Sequence, residues 1–161
     1  MIPDKFIGRQ REINLLTRLN AREEAQFLIL YGRRRIGKTY LIQHWAEHLD
    51  DTHRVLYWMA TQTSTTRQLR SFSQTLLRFS NPESHIPPDF SYQSWETALM
   101  QVAQLAQQER FILILDEFTY VMQADNEIPS IIQKIWDHHL QQSRLFLILT
   151  GSLAGIIQRT A

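Results

Sequence analysis

The sequence predicts an α/β domain with helices layered on both faces of a central parallel sheet. Three observations predict it. Four short runs are apolar at nearly every position rather than every second one, as in Phe111-Ile112-Leu113-Ile114-Leu115. A strand of that kind is covered on both faces, which is the situation inside a parallel sheet. Between the runs lie segments whose apolar residues recur every three to four positions, the period of a helix with one buried face. The two patterns alternate along the chain, which is the order of βαβ units.

The elements follow in order. Ile13, Leu16 and Leu19 predict an opening helix, and Gln26–Tyr31 the first strand. Leu41, Ile42, Trp45, Ala46 and Leu49 form the stripe of the next helix. Arg54–Met59 is the second strand, followed by a helical stripe of Leu69, Phe72, Leu76 and Leu77. The stretch Ser80–Asp89 carries Pro82, Pro87 and Pro88 among polar residues and predicts a surface loop. Trp95, Leu99, Val102, Leu105 and Ala106 mark a third helix, and Arg110–Leu115 the third strand. Ile131, Ile132, Ile135, Trp136 and Leu140 mark a fourth, with Pro129 in its first turn, where a missing N–H costs nothing. Arg144–Leu149 is the last strand. Trp45, Trp95 and Trp136 fall on the apolar stripes and are read as packing residues.

The 161 residues suit one domain, taken as residues 1–161, with one sizeable core. Seventeen basic residues against sixteen acidic leave a net charge of +1. That balance argues against a strongly electrostatic binder of nucleic acid or membrane, while leaving a local basic patch open. The absence of cysteine excludes disulfides and thiolate metal sites and is compatible with the cytosol. No apolar run approaches the ~20 residues of a spanning helix, and Met1–Lys5 starts no apolar signal region. The expectation is a cytoplasmic protein without a membrane partner.

Gly32-Arg33-Arg34-Arg35-Ile36-Gly37-Lys38-Thr39 fits G-x-x-x-x-G-K-[ST], the phosphate-binding P-loop. It lies between a strand and a helix, the context that the motif requires. Phosphate oxygens need many donors at short range. A glycine-rich turn bares successive backbone N–H groups, and the following helix adds the positive end of its dipole. Gly37 lets the backbone approach, Lys38 is placed for the β- and γ-phosphates, and the Thr39 hydroxyl for Mg²⁺. Tyr40 continues into the helix beside them. Arg33, Arg34 and Arg35 put three cations on the loop, for phosphates, a neighbouring subunit, DNA or solvent.

A P-loop needs a carboxylate for its metal ion. The run Phe111–Leu115 ends in Asp116-Glu117. Asp116 is the expected magnesium carboxylate, and Glu117 the residue that polarises an attacking water. Ligands of open α/β sheets bind at the carboxyl ends of the strands, which is where both residues fall. The last strand ends in Thr150-Gly151-Ser152. The Thr150 hydroxyl can sense the water or the γ-phosphate, or cap a following helix; the two roles are compatible.

These motifs together resemble a known family. Phe6-Ile7-Gly8-Arg9-Gln10-Arg11-Glu12 fits an F-x-G-R-x-x-E box, and an arginine-rich P-loop, Leu115-Asp116-Glu117-Phe118-x-Tyr120 and Leu149-Thr150-Gly151-Ser152 follow in order. The chain is similar to the prokaryotic "archaeal-type" ATPases, within the STAND branch of the AAA+-like P-loop ATPases. The resemblance implies a three-layer P-loop NTPase with strand order 5-1-4-3-2, ATP or ADP with Mg²⁺ as ligands, and a box of Phe6, Gly8 and Arg9 against the nucleotide. Adenine over guanine rests on this resemblance alone; a guanine reader would usually show an N-K-x-D segment, and none is present. Such proteins continue beyond the last strand read here into a fifth strand, a helical lid and further domains. Residues up to Ala161 do not reach them, so slow hydrolysis is expected, because an arginine finger is worth ~10³–10⁵ in rate.

Two functional classes follow. One is an ATPase that drives a conformational switch or motor. The other is a nucleotide-gated module that binds, assembles with itself or a protein partner, and scarcely turns over. A small-molecule kinase is weaker, for want of an acceptor pocket. His44-Trp45-Ala46-Glu47-His48 also fits H-x-x-E-H, a zinc-peptidase pattern, but no second motif supplies a third ligand. Calorimetric titration with ATP, ADP and GTP, with and without Mg²⁺, is expected to show Mg²⁺-dependent binding of the adenine nucleotides. Absence of heat with every nucleotide would remove the basis of both readings.

Overall fold

The computed structural model describes residues 10–32 and 37–152. Helix α1 (Gln10–Asn20) leads into strand β1 (Gln26–Gly32), followed by α2 (Lys38–Glu47) and β2 (Val55–Met59). Two helices, α3 (Thr65–Ser80) and α4 (Trp95–Gln108), come before β3 (Ile112–Asp116). The short α5 (Thr119–Ala124), α6 (Ile128–His138) and a single 3-10 turn (Leu140–Gln142) lead to β4 (Phe146–Ser152). All pairings are parallel, and the strand order is β1-β4-β3-β2. This is the 1-4-3-2 portion of the expected order.

Alternation along the strands divides the core. Ile112 and Ile114 of β3, with Phe146 and Ile148 of β4, face Leu16 of α1 and Ile42 and Trp45 of α2. Leu113, Leu115 and Leu147 face the opposite way, into a larger core with Phe72 of α3, Trp95 of α4 and Ile135 of α6. Both faces of β3 are therefore covered, and every residue of that strand is buried, as its unbroken apolar run predicts. The layers are helix, sheet, helix. Handedness accounts for the division. The chain moves one way along the sheet from β1 to β2 and the other way from β3 to β4, so right-handed crossovers place α2 and α6 on opposite faces.

Local chemistry fixes the helix starts. The Ser64 hydroxyl accepts from Arg67 N at 3.2 Å to cap α3, and the Ser94 hydroxyl accepts from Thr97 N at 3.0 Å to cap α4. Proline stands in the first turn of α6, as expected. Phe72 stacks on Trp95 with ring centroids 5.3 Å apart, and Trp58 of β2 meets Phe72 edge-on at 5.4 Å. The prolines of the 81–94 loop break regular structure, yet the loop is held down. Tyr92 N donates to the Ser73 hydroxyl at 3.0 Å, and the Gln74 amide donates to the Pro88 carbonyl at 2.5 Å.

Leu49 and Leu140 fall just past the ends of α2 and α6, Leu140 in the 3-10 turn, and further details differ from the sequence reading. β4 continues through Thr150, Gly151 and Ser152 instead of ending at Leu149, because Leu30, Tyr31 and Gly32 of β1 offer them a continuous ladder. Helix α5 went unnoticed because six residues are too few to show a period. Trp136 is half-buried, not fully core: it meets Phe27 edge-on at 5.1 Å along an apolar cavity of about 230 Å³ under β1.

Candidate nucleotide site

Parallel strands bring their carboxyl ends to one edge of the sheet, and Asp116, Glu117 and Thr150 lie together there. Asp116 is the last residue of β3 and continues the Ile112–Ile114 face, the one covered by α2. Thr150 likewise continues the Phe146–Ile148 face of β4, and its register partner on β1 is Leu30. Two inter-strand steps, about 10 Å, therefore separate the end of β3 from the end of β1, where the P-loop begins.

Asp116 has no solvent exposure. Its carboxylate is held by three donors. Glu117 N reaches Oδ1 at 2.9 Å, the Thr150 hydroxyl donates to the same oxygen, and the Tyr57 phenol donates to Oδ2. Thr150, also fully buried, accepts Glu117 N at 3.0 Å, and its carbonyl accepts Phe118 N at 2.7 Å. The Thr150 proton is thus committed to Asp116, and one lone pair is left on its hydroxyl oxygen.

Glu117 has φ of 57°, the left-handed region, and among the described residues it is the one non-glycine residue at positive φ. A side chain in that conformation costs ~1–3 kcal/mol and persists where the surroundings over-determine it. Here the Glu117 N–H is shared between Asp116 and Thr150, which holds the turn. The Glu117 side chain is partly exposed at the sheet edge.

On the other side of the site, Gly37 adopts φ 85°, ψ 20° and stands as the N-cap of α2 without a side-chain hydrogen bond. That left-handed conformation explains the glycine. The Gly37 carbonyl accepts Leu41 N at 2.8 Å, so the helix is hydrogen-bonded from its first turn. Lys38 is only 6% exposed, Thr39 is partly buried, and Tyr40 is exposed and lies over His44 with centroids 6.3 Å apart. The first-turn N–H groups of α2, with the positive end of its dipole, form a frame for an anion. Gly32 ends β1 in backbone register with Ser152. Phe6, Gly8 and Arg9, with Arg33, Arg34, Arg35 and Ile36, lie outside the described residues.

The donor set around Asp116 suits a cation. Asp116 is a fully buried carboxylate with no cationic side chain within ion-pair distance among the described residues. Oδ1 already accepts two hydrogen bonds, whereas Oδ2 accepts one and keeps a lone pair for a metal-bound water. Of the remaining histidines, His48 Nδ1 engages the His44 carbonyl at 2.8 Å, one turn back on α2.

Tyr57 is the residue that sequence reasoning missed. Its signal was a polar aromatic within an apolar strand, on the face that also carries Val55 and Met59. Partial burial, reinforced by the hydrogen bond and negative charge of Asp116, pushes its phenol well above the ordinary tyrosine range, while a hydrogen bond from Gln43 of α2 opposes the shift. The phenol thus joins α2 to the acidic strand.

Comparison with known proteins identifies the family. A family described as an ATPase domain predominantly from Archaea matches residues 6–161. The chain belongs to this family. A Methanocaldococcus jannaschii protein of unassigned function is 26% identical over 149 residues, covering 91% of this chain and 29% of its own length. An ATP-binding protein of the same organism is 44% identical over 43 residues, 27% of this chain and 73% of the relative. Among solved structures, the Walker-type ATPase of Pyrococcus abyssi superposes with a TM-score of 0.60 at 16% identity, covering 89% of this chain and 44% of that one. The Aeropyrum pernix Orc1 protein in complex with DNA gives 0.68 at 15%, covering 99% and 41%. The archaeal-type ATPase domain thus shares the P-loop ATPase fold and spans less than half the length of these solved chains and of the longer relative. Family membership supports ATP binding and hydrolysis in general terms.

The Tyr57 environment sets a pH dependence for the ATPase domain. An unfolded tyrosine ionises near 10, whereas Tyr57 stays protonated above that in the folded state. The folded state then binds more protons than the unfolded one, so this contribution is complete below about pH 10 and is lost as pH rises further. Thermal midpoints between about pH 9 and 11 are expected to fall more steeply for the wild type than for Tyr57→Phe.

Proposed function

We propose that this domain binds ATP with Mg²⁺, hydrolyses it to ADP, and uses the cycle as a conformational switch or motor. The observation that carries the reading is the buried Asp116, held at the sheet edge by Tyr57, Thr150 and Glu117 N, in the row that leads to the head of α2. Family membership supports the nucleotide, and two neighbouring solved structures of an Aeropyrum pernix Orc2 protein are described in ADP and ADPNP–ADP forms.

Each residue has a part. The α2 N-terminus and Lys38 receive the phosphates, with Lys38 on the charge that develops at the γ-phosphoryl group. Thr39 and Asp116 would hold the magnesium ion, the latter through a water on Oδ2. The bound ion would supply neutralisation of the β- and γ-phosphate oxygens. Glu117 orients the attacking water and takes its proton as the water oxygen bonds to the γ-phosphorus and the bond to the bridging oxygen of ADP breaks. Thr150 acts through its neighbours, keeping Asp116 aimed and the Glu117 turn in its left-handed form, and can accept one further hydrogen bond from the water. Phe6, Gly8, Arg9 and Arg33–Ile36 complete the nucleotide side in this proposal, and the compartment is the cytoplasm.

Phosphate release under multiple turnover tests the reading. Glu117→Gln is expected to lower turnover ~10²–10⁴-fold and to leave ATP affinity within a few-fold. Lys38→Ala is expected to lose both. A wild type that binds ATP but releases no phosphate beyond a single burst would transfer the assignment to the nucleotide-gated binding module.

A further inference from the structure

We propose that the outward face of α3 docks the phosphate backbone of a nucleic acid. The helix contains no Asp or Glu in its sixteen residues. Arg67, Arg70 and Arg78 are all exposed and, among the described residues, none of them is ion-paired. At 3.6 residues per turn, Arg67 and Arg78 fall on one stripe with Gln74, and Arg70 flanks it within about 60°. The apolar stripe of Leu69, Phe72 and Leu76 is buried on the other side. Three unpaired guanidinium groups are therefore presented outward along ~16 Å of helix, in a chain whose net charge is only +1.

The surroundings are shaped for phosphate. The arginines border an open polar groove of about 480 Å³, with Thr75 beside them and Pro88 of the loop as the far wall. Gln74 fixes that wall through its bond to the Pro88 carbonyl. Arginine and threonine side chains are the groups that contact nucleic-acid backbones, and the guanidinium fork pairs with phosphate oxygens two at a time. Glu83 and Asp89, on the neighbouring loop, make no ion pair with these arginines.

The composition of the face selects among anionic partners. A protein interface needs an apolar or aromatic centre, and a membrane surface needs apolar side chains to insert. Among the described residues the exposed large hydrophobic side chains are Ile29, Tyr31, Tyr40 and Met59, and none of them lies on α3. A polymer that presents one charge after another along its length suits spaced cations without an apolar centre, because each phosphate contact releases counterions independently.

Fluorescence anisotropy with the full chain and labelled duplex DNA, duplex RNA and single-stranded DNA of about 25 nucleotides per strand, across a salt series starting near ~50 mM, tests this. The wild type is expected to bind at least one of the three, regardless of sequence, with affinity that falls steeply with salt. The preferred polymer identifies the class. Arg67→Gln/Arg70→Gln/Arg78→Gln is expected to weaken binding at least ~10-fold and to reduce the salt slope by about 3, and each single change by about 1. Arg18→Gln/Arg22→Gln on and after α1 is expected to change neither. Lys38→Ala is expected to keep full binding, so failure here is distinguishable from failure of the ATPase reading. The proposal falls if no nucleic acid binds at the lowest salt, or if the slope survives the single and triple changes. It also falls if anionic vesicles or polyglutamate bind through these arginines while nucleic acid does not.

Discussion

A carboxylate stripped of solvent is the constraint around which this domain is arranged. Leaving Asp116 buried without a cation beside it would cost several kcal/mol if its oxygens were unpartnered. The three donors come from different parts of the fold: Tyr57 from β2, Thr150 from β4 and the backbone of Glu117 from the turn itself. β4 lies beside β3, and the ladder with β1 carries it past its apolar core far enough for Thr150 to reach Asp116. The same bonds force Glu117 into a left-handed conformation. Register carries the constraint onward, since Thr150 pairs with Leu30 and the residues after Leu30 enter the P-loop.

Much of this was legible because it is local. A P-loop is eight consecutive residues, and an unbroken run such as Phe111–Leu115 reports double burial by itself. What escaped is non-local. Tyr57 lies 59 residues from Asp116, and its phenol has meaning only once β2 and β3 pair with Met59 opposite Asp116. The positive φ of Glu117 was invisible because glutamate has no preference for that region; the acceptors around its N–H, Asp116 and Thr150, hold it there. Thr150 looked like a possible cap because its sequence neighbours cannot show that its hydroxyl is spent across the sheet. The arginines of α3 went unremarked for a different reason: a net charge of +1 averages over the surface and hides how cations are grouped.

The two faces of the sheet have different tasks. The α2 face collects the polar chemistry, from Thr150 through Asp116 to Tyr57. The opposite face carries the aromatic cluster of Trp58, Phe72 and Trp95, which stiffens the join between β2, α3 and α4. Close-packed interiors transmit displacement rather than absorb it.

Specific hydrogen bonds then connect α3 to the candidate site. Trp58 Nε1 donates to the Ser71 hydroxyl at 3.0 Å, tying the middle of α3 to β2 one residue after Tyr57. The buried Gln68 amide donates to the Thr61 carbonyl at 2.9 Å and to the Tyr120 carbonyl at 3.1 Å. Tyr120 N in turn donates to the Glu117 carbonyl at 3.1 Å. Two hydrogen bonds therefore separate α3 from the residue whose strained backbone places the candidate base. Gln68 Oε1 is buried without a hydrogen-bond partner, so the side chain is held through its amide nitrogen. A shift of α3 would have to break these bonds or carry the Glu117 turn with it. The Glu117 turn is held at positive φ by its bonds to Asp116, Thr150 and Tyr120, so the path through Gln68 ties α3 to that turn.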